Sequence, residues 1–403
     1  MKIGLIREGK TPPDKRVVLL PEQCLLLQER YPEVQIYVEK SQVRCVPDAD
    51  YEKAGLPVVD DISVADLLLG VKEVPVDALI PEKTYMFFSH TIKKQPYNRK
   101  LLQTILQKNI TLIDFECLTD EAGNRLIAFG RFAGIVGAYN ALWTYGKRFG
   151  AYELKRAYTC KDYEELKKEL KKVKLPANYK IALTGRGRVG NGAAEVLDAA
   201  GIRKVSPQEF VGQTFEEPVY AQLASRDYYA PNEGVYFDEQ EFYSHPERFH
   251  SDFLKYALTA DMLITGHFWN PRSEPLFTVD DMQSPAFKIK IIADITCDIR
   301  GSVPSTIRAT TIESPVYDFD PFTGKERAPF SNERFVTVMA VDNLPCELPL
   351  DASRSFGRQF IENVFPHFMN GDKEEVLARA TIAKDGKLTP RYSYLQDYVE
   401  GKS

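Results

Sequence analysis

The stretch KIALTGRGRVGNGAAEVLDAAGI, residues 180–202, decides the fold class of the second half of this chain. An apolar run, IALT, leads into glycines at positions 185, 187, 190 and 192, and an alanine-rich segment follows. A strand, a glycine-rich turn and a helix in this order form the fingerprint of a dinucleotide-binding unit. The first glycine permits the tight turn, the second lets the backbone approach a pyrophosphate, and the third allows close helix–strand packing. We therefore expect the cofactor to be bound by Gly185, Gly187, Arg188, Val189 and Gly190.

Apolar runs of strand length recur on both sides of this motif, with helix-length segments between them. These runs are residues 2–6, 34–38, 67–71, 84–88, 111–115, 261–265, 289–295 and 335–341. The clearest helical segments are residues 21–30, 134–149 and 161–174. Strands that alternate with helices predict parallel sheets covered by helices on both faces. We expect an α/β fold class, with two Rossmann-like domains, parallel sheets and an interdomain cleft.

The 403 residues are enough for two domains of ordinary size. The C-terminal segment, from about residue 346, is too short to form a domain and should pack back on the first one. We therefore expect a discontinuous substrate-binding and catalytic domain of residues 1–138 and 346–403. Residues 139–345 should form the dinucleotide-binding Rossmann domain.

Composition and charge exclude several classes of protein. The formal net charge of −5 gives no reason to expect a nucleic-acid partner, and the longest apolar runs are too short to span a membrane. Six cysteines without a CxxC pair and five histidines without HExxH spacing predict reduced thiols and no metal. The N-terminal MKIGLIREG predicts a strand rather than a secretory signal. These features favour a cytoplasmic enzyme and leave its oligomeric state open.

Two residues of the first domain suit proton transfer. Lys72 follows the apolar run LLLGV, and His90 follows the run TYMFFS. Open α/β sheets bind their ligands just beyond the ends of such strands. An enzyme that acts on an amine or imine needs an acid/base pair, with cations for substrate carboxylates. Taken alone, however, either residue is more often a surface group, so both interpretations stay open.

Longer motifs carry a resemblance to a known family. They are REGKTPPDKRVVLLP (7–21), GVKE (70–73), FSHTIKKQPYN (88–98), LIDFECLTDEAGNRLIAFGRFAG (112–134) and VDNLPCELPLDAS (341–353). With these the chain resembles the saccharopine dehydrogenases of the L-lysine-forming kind, which are related to alanine dehydrogenase. The stretches FSHTIKKQPYN, YSHPERF (243–249) and TTIESPVYDFD (310–320) are more similar to the lysine–ketoglutarate reductase half of the bifunctional lysine-degrading enzyme.

The resemblance implies a reversible reaction in which lysine and 2-oxoglutarate form an imine that a reduced nicotinamide converts to saccharopine. It implies that Lys72 and His90 are catalytic. The remaining residues that it implies are Arg16, Lys93 and Arg125 for substrate carboxylates or the cofactor cleft, Glu116 beside the lysine, and Asp342 beside the nicotinamide. Two alternatives stay open: another amino-acid dehydrogenase such as alanine dehydrogenase, or a dinucleotide sensor without catalysis.

The choice between NAD and NADP also stays open. An NAD site usually has an acid at the end of the next strand, where it binds the ribose 2′-hydroxyl. We expect that position near Ser206, and residues 202–210 contain no acid before Glu209. Arg186 and Arg188 of the glycine turn have the fork geometry for a phosphate. We therefore expect NADPH to be used at least comparably to NADH.

Overall fold

The structure, a computed structural model, describes residues 1–232 and 236–402. The chain divides into two compact units, which are Met1–Phe129 with the segment from Pro349 onward, and Gly130–Leu348. We call them unit 1 and unit 2. The divisions lie at 129/130 and 348/349 rather than at the expected 138/139 and 345/346. The physical reason is that a helix of unit 2 already begins at Gly130, so its first two turns belong with the rest of that helix.

Unit 1 is built on one eight-stranded sheet. Its strands are β1 (Lys2–Leu5), β2 (Gln35–Glu39), β3 (Val58–Val59), β4 (Leu67–Leu69), β5 (Thr84–Phe87), β6 (Thr111–Asp114), β17 (Thr381–Lys384) and β18 (Lys387–Leu388). Their order across the sheet is β18-β17-β6-β5-β4-β1-β2-β3. The strands from β6 to β3 are parallel, and β17 and β18 add an antiparallel edge. The C-terminal segment therefore completes the sheet of the first unit.

Helices cover this sheet. They are α1 (Pro21–Arg30), α2 (Asp48–Lys53), α3 (Arg99–Gln107), α12 (Pro349–Gln359), α13 (Phe365–Met369), α14 (Val376–Ala380) and α15 (Gln396–Val399). Helix α1 has the predicted bounds, because Pro21 suits its first turn and the Gln23 side chain accepts the N–H of Leu20 at 3.0 Å. A π-helical turn, Phe360–Val364, continues α12 into α13 and adds Phe360 to the core.

Unit 2 contains the other eight-stranded sheet and one small two-stranded sheet. Its strands are β7 (Lys180–Thr184), β8 (Arg203–Val205), β9 (Val219–Leu223), β10 (Tyr229–Pro231), β11 (Phe249–Ser251), β12 (Met262–Thr265), β13 (Ile291–Asp294), β14 (Val316–Asp320), β15 (Lys325–Arg327) and β16 (Val336–Met339). The large sheet has the order β15-β14-β16-β13-β12-β7-β9-β8, and β10 pairs with β11. Neighbouring strands of this sheet are parallel along the series β8, β9, β7, β12, β13 and β16. Strand β14 pairs antiparallel with both β16 and β15.

The helices of unit 2 are α4 (Gly130–Phe149), α5 (Tyr163–Leu170), α6 (Arg188–Ala199), α7 (Pro207–Gly212), α8 (Ser225–Tyr228), α9 (Glu239–Ser244), α10 (Leu254–Ala257) and α11 (Val279–Gln283). Helices α4 and α6 pack closely because glycines lie where they meet. A Cβ atom at Gly134 would lie 1.9 Å from the carbonyl oxygen of Val189, and one at Gly192 would lie 2.0 Å from that of Arg131. This contact fixes the helix that follows the glycine turn.

The predicted fold class is confirmed, since each unit has a mainly parallel sheet with helices on it. The predicted strands lie within about two residues of observed ones, but β9 was not predicted. Across the described part of the chain, no helix has both the length and the apolar character needed to cross a membrane.

Candidate active site

In unit 1, the ends of three neighbouring parallel strands bring several predicted residues to one edge of the sheet. Lys72 follows β4, His90 follows β5 and Glu116 follows β6. Asp114, the last residue of β6, is fully buried and links two of these loops. It accepts the backbone N–H of Ser89 at 3.0 Å and that of Glu116 at 2.7 Å. The β5 and β6 loops are therefore held together by one buried carboxylate.

His90 is oriented by a neighbour that the sequence analysis did not single out, Glu73. The Nδ1 atom of His90 lies 2.6 Å from Oε1 of Glu73, and Lys10 Nζ donates to Oε2 of the same carboxylate at 2.8 Å. Burial alone would raise the pKa of Glu73, but hydrogen bonds from His90 and Lys10 outweigh it and lower the pKa to about 2. An ionised carboxylate only accepts, so Nδ1 carries the hydrogen and Nε2 is left for proton exchange.

The backbone at His90 is itself unusual, because its φ of 53° lies in the left-handed region. For a residue with a side chain this conformation costs about 1–2 kcal/mol. The hydrogen bonds around Ser89 and the contact with Glu73 hold the ring there against that cost. Ten other non-glycine residues of the described chain also have a positive φ, so this backbone conformation orients the His90 ring and does not by itself mark a site.

Lys72 is positioned through its backbone and lies in a cationic setting. The two oxygens of Glu8 accept the N–H of Val71 at 2.6 Å and the N–H of Lys72 at 2.9 Å. The pKa of Lys72 is lowered, first by burial and then by the nearby charges of Arg16 and Lys10. A lysine with a lowered pKa has more neutral amine near pH 7, which suits it to accept and return protons.

Arg16 is buried, with only 3% of its surface exposed, and it is held on two sides. Its Nε and Nη2 donate to the two carboxylate oxygens of Asp14 at 3.0 Å and 2.6 Å. Its guanidinium also lies 4.2 Å from the centre of the Phe129 ring. A bidentate pair of this kind fixes the guanidinium plane, and a fixed plane can present further N–H groups to a carboxylate.

The other predicted substrate residues form a second group in unit 1. Glu116 accepts a close hydrogen bond from Arg125 and lies 3.7 Å from Lys93 Nζ. Burial would raise the pKa of Glu116, but the charges of Arg125, Lys93 and His90 lower it overall. The structure therefore brings Lys93, Arg125 and Glu116 together, with the His90 charge acting on the same carboxylate.

In unit 2, the glycine turn has the strand–turn–helix form expected for it. Strand β7 ends at Thr184, Gly185 follows with a φ of 94°, and α6 begins at Arg188. A Cβ atom at Gly185 would lie 2.4 Å from the carbonyl oxygen of Gly266, and one at Gly190 would lie 2.1 Å from that of Gly185. Gly187, in contrast, faces open space. The turn is therefore closed on its protein side and open where a phosphate would approach.

A cavity of about 700 Å³ opens beside this turn. It is lined by residues after three strands of unit 2, which include 185–187, 224–226 and 266–268. Gly185 and Gly187 are among the lining residues, whereas Arg188, Val189, Gly190 and Asp342 are not among the described residues that line it. Gly190 and Val189 instead make the close contacts that hold α6 against the turn and against α4. Asp342 is exposed after β16, where its charge acts on the Cys297 thiol.

His267, which lines the cavity, was also not among the site residues predicted from the sequence. Its Nδ1 lies 2.6 Å from the hydroxyl oxygen of Thr184, and its Nε2 is buried without a hydrogen-bond partner. Burial lowers the pKa of His267 to about 4, so the ring is neutral near pH 7. Among the residues that the structure describes, no group of three or more His, Cys, Asp or Glu side chains could hold a metal ion.

Comparisons with known proteins give relatives of the sequence and of the fold. Residues 4–136 match the family model described as alanine dehydrogenase/PNT, N-terminal domain. The mitochondrial alpha-aminoadipic semialdehyde synthase of Bos taurus is 32% identical over 91% of this chain and 45% of its own length. Saccharopine dehydrogenase [NAD(+), L-lysine-forming] of Emericella nidulans is 25% identical over 90% of this chain and 91% of its own. A solved structure of L-alanine dehydrogenase covers 100% of both chains with a TM-score of 0.65 and 17% identity.

The chain spans less than half the length of the semialdehyde synthases that it matches, 45% of the bovine protein and 41% of the Arabidopsis thaliana protein. It spans most of the fungal saccharopine dehydrogenase. The resemblance found in the sequence motifs is confirmed. The chain is similar in sequence to alpha-aminoadipic semialdehyde synthase and to the L-lysine-forming saccharopine dehydrogenases, and it has the fold of alanine dehydrogenase.

Proposed function

We propose that the chain is an NAD(P)-dependent oxidoreductase acting on CH–NH groups, which interconverts saccharopine with L-lysine and 2-oxoglutarate through an imine. The observation that carries the proposal is the group of Lys72, Glu73 and His90 at one sheet edge of a chain with a relative named saccharopine dehydrogenase [NAD(+), L-lysine-forming]. In this proposal unit 1 binds the amino-acid substrates and unit 2 binds the dinucleotide.

Substrate charge explains why the site needs several cations. Saccharopine carries three carboxylates, and arginine binds a carboxylate with two parallel hydrogen bonds. We assign this binding to Arg16, Lys93 and Arg125. Glu116 keeps Lys93 and Arg125 close to one carboxylate and so limits their side-chain freedom before substrate arrives. Preordered cations lose less conformational entropy on binding.

Proton transfer accounts for the two catalytic residues. To form the imine, the ε-amine of lysine must be neutral, and it attacks the carbonyl carbon of 2-oxoglutarate. The carbonyl oxygen leaves as water after it has gained two protons. Lys72 and His90 take up the protons that the nitrogen loses and return protons to this oxygen, and His90 does so through Nε2 because Nδ1 is bound to Glu73. The same residues act in reverse when saccharopine is cleaved.

The dinucleotide fits the glycine turn for a structural reason. The open side of Gly187 lets backbone N–H groups reach the pyrophosphate at the start of α6. When bound, the reduced cofactor would supply a hydride to the imine carbon, and the imine nitrogen would take up a proton from Lys72 or His90. Gly185 and Gly190 keep the turn tight against the sheet and so support a fixed binding position for the pyrophosphate.

A turnover assay tests the proposal. The full chain is incubated with lysine, 2-oxoglutarate and NADH or NADPH, cofactor oxidation is followed by absorbance, and the product mass is measured. Formation of saccharopine supports the proposal. Oxidation with pyruvate and ammonia in place of these substrates would indicate an alanine dehydrogenase, and dinucleotide binding without any turnover would indicate a sensor; either outcome overturns it. The cytoplasmic location expected from the sequence stays a prediction.

A further inference from the structure

A second cavity, of about 360 Å³, lies in unit 1 and is lined mainly by residues at and beyond the carboxyl ends of β1, β2, β3 and β4. These strands are neighbours in the sheet, in the order β4-β1-β2-β3. Open α/β sheets bind ligands outside the carboxyl ends of their strands, and a volume above about 300 Å³ suits a small molecule. Lys72, Glu73 and His90, which we call the Lys72–His90 group, are not among the described residues that line this cavity. We call it the β1–β4 cavity and treat it as a separate pocket.

The lining combines an apolar wall with an excess of carboxylates. Its aliphatic side chains include Ile6, Ile62, Val74 and Ile80. Its charged side chains are Arg7, Glu39, Asp60 and Asp61. Three carboxylates against one guanidinium leave two negative charges. An apolar wall beside net negative charge suits a cation that carries a hydrocarbon chain.

The carboxylates keep acceptor sites for such a cation. Glu39 accepts the backbone N–H of Arg7 at 2.9 Å, and its other oxygen lies 3.3 Å from Arg7 Nε. Asp60 pairs with Lys40 at 2.9 Å, but both side chains are more than half exposed, so a ligand competes readily for this pair. Asp61 accepts two hydrogen bonds that lower its pKa and keep it ionised. Each carboxylate oxygen has two lone pairs, so a single contact leaves room for an ammonium N–H.

The β1–β4 cavity shares a wall with the Lys72–His90 group, because alternate residues of the segment after β1 contact opposite sides. Arg7 and Gly9 line the cavity. Glu8 and Lys10 contact the other side. Glu8 accepts the backbone N–H of Lys72 at 2.9 Å, and Lys10 donates at 2.8 Å to the carboxylate that orients the histidine. One short segment therefore separates the cavity from the proton-transfer residues.

The segment after β4 forms the rest of this wall in the same way. Glu73 lies 2.6 Å from His90 Nδ1, whereas Val74 and Pro75, the next residues, line the cavity. The two segments are in close contact, since a Cβ atom at Gly9 would lie 2.6 Å from the Pro75 ring. A ligand that moves this wall therefore also moves Glu73.

We propose that the β1–β4 cavity binds a primary alkylammonium ion, and that this binding lowers turnover across the shared wall. The ammonium contacts the carboxylates of Asp60 and Asp61, and the hydrocarbon chain packs on Ile62 and Val74. Because the hydrogen bonds within the Lys72–His90 group are already formed, a displaced wall lengthens them and lowers kcat. The binding site does not depend on the proposed function, whereas its effect on turnover rests on it.

Calorimetric titration of the full chain tests the binding step. The probe is n-butylammonium chloride, and 1-butanol, which has the same chain without the charge, is compared with it. We expect the ammonium to bind at least about tenfold more tightly, a difference of about 1.4 kcal/mol. Asp60→Asn/Asp61→Asn should weaken its binding by about tenfold, because two charges are removed with little change in shape. Ala78→Phe, at an exposed position of the lining, should fill the cavity and remove the binding.

The matched control is Asp50→Asn/Glu52→Gln, which removes two exposed acids of α2 that are not among the described lining residues. Its affinity for n-butylammonium should stay within about twofold of the unaltered chain. Unaltered affinity in Asp60→Asn/Asp61→Asn, or an equal loss in the control, would overturn the inference.

Kinetics distinguish this cavity from the substrate site. With lysine as the varied substrate, saturating n-butylammonium should lower kcat by about fivefold, the lower end of typical coupling between sites. The amine should have no such effect in Ala78→Phe. A rise in KM for lysine without a change in kcat would place the amine in the substrate site and would overturn the inference. If binding depends on Asp60 and Asp61 but lysine and 2-oxoglutarate are not turned over, the proposed function fails and the binding site stands.

Discussion

The two units place their candidate sites at the same feature of the fold and build them by different means. Both sites lie beyond the carboxyl ends of parallel strands. In unit 1 the site consists of charged side chains that neutralise one another, as in the contacts of Glu73 with His90 and Lys10. In unit 2 the turn consists of backbone and glycines, with Gly187 open and Gly190 packed against Gly185. In the proposed function, the first site transfers protons and the second holds a phosphate.

This difference teaches what each site tolerates. In a site made of side chains, a substitution can change the chemistry and leave the fold intact, because the new side chain fills a similar volume. A site made of close backbone contacts cannot accept even a methyl group without a shift of the chain. Substitutions in unit 1 should therefore change rates and pH profiles, whereas those in the glycine turn should change stability and cofactor binding together.

The largest effect is expected from the two proton-transfer groups. Lys72→Met and His90→Gln should each lower kcat by about 100-fold or more, the usual scale for an acid/base group. Dinucleotide binding, measured by calorimetry, should stay within about twofold of the unaltered chain, because both residues belong to unit 1. Lys53→Met, an exposed lysine on α2, is the control. Full turnover in either variant would show that the residue is not catalytic.

Gly190→Ala tests the other half of the comparison. The new Cβ atom would lie 2.1 Å from the carbonyl oxygen of Gly185, so the backbone must move. We expect a loss of about 2 kcal/mol or more in unfolding free energy, together with weaker dinucleotide binding. Gly212→Ala is the control, since a Cβ atom there meets nothing within 4 Å. If Gly190→Ala kept its stability and affinity, the turn would not be as rigid as we argue.

The same contrast explains what the sequence could and could not predict. The glycine turn is a local pattern, so Gly185, Gly187 and Gly190 were found from their spacing alone. The strand beside it was missed because β9 contains a polar residue, Gln222, although the strand is buried along its whole length. The Gln222 amide donates to the carbonyl oxygen of Gly185 at 3.1 Å, so its polarity serves the turn. Strand order is a tertiary property that local periodicity does not contain.

Unit 1 shows a second limit of sequence analysis. Lys72 and His90 were candidates because each follows an apolar strand, and the family resemblance implies that both are catalytic. Glu73, which contacts both His90 and Lys10, was not singled out. Glu73 stands next to Lys72 in the motif GVKE, and its contact with His90 spans 17 positions of the chain. A signal existed in the pairing of a lysine and a glutamate after a buried strand. This signal did not show that Glu73 would contact His90, because no local pattern predicts the positive φ of His90.

A finer test concerns the electrostatics around Lys72. Lys10 lowers the pKa of Lys72 and Glu73 raises it, although burial is the largest influence. Lys10→Met should therefore move the Lys72 ionisation in the pH profile of kcat/KM to higher pH, and Glu73→Gln should move it to lower pH. Each variant should also lose about tenfold in activity, because the hydrogen bond to Glu73 is broken or weakened.

The Lys72 ionisation is identified as the one that disappears in Lys72→Met. Lys15→Met, which changes an exposed lysine of the same loop, should leave the profile in place. Shifts of the same sign in Lys10→Met and Glu73→Gln would contradict the electrostatic account and would indicate a general loss of packing. Opposite shifts would support the account in which Lys10 and Glu73 act on the pKa of Lys72 with opposite signs.

The smallest expected effect concerns a buried carboxyl in unit 2, away from its glycine turn. Glu347 is fully buried, and it accepts a hydrogen bond from Asn140 at 2.7 Å. Burial raises the pKa of Glu347 to about 7. Because the folded protein binds this proton more tightly than the unfolded chain, the unfolding free energy should fall as the pH rises from about 4.5 to 7. Glu347→Gln cannot ionise and keeps the oxygen that faces Asn140.

We therefore expect the melting temperature of the unaltered chain to fall over this pH range, and the fall to be smaller in Glu347→Gln by about 2–4 °C for each kcal/mol involved. Glu153→Gln, whose side chain is 86% exposed, is the control and should follow the unaltered chain. Calorimetry at several pH values measures the effect, and hydrogen exchange in α4 assigns it to unit 2. Identical pH dependence in all three proteins would mean that Glu347 is ionised in the folded state and stabilised by Arg156, 3.5 Å away.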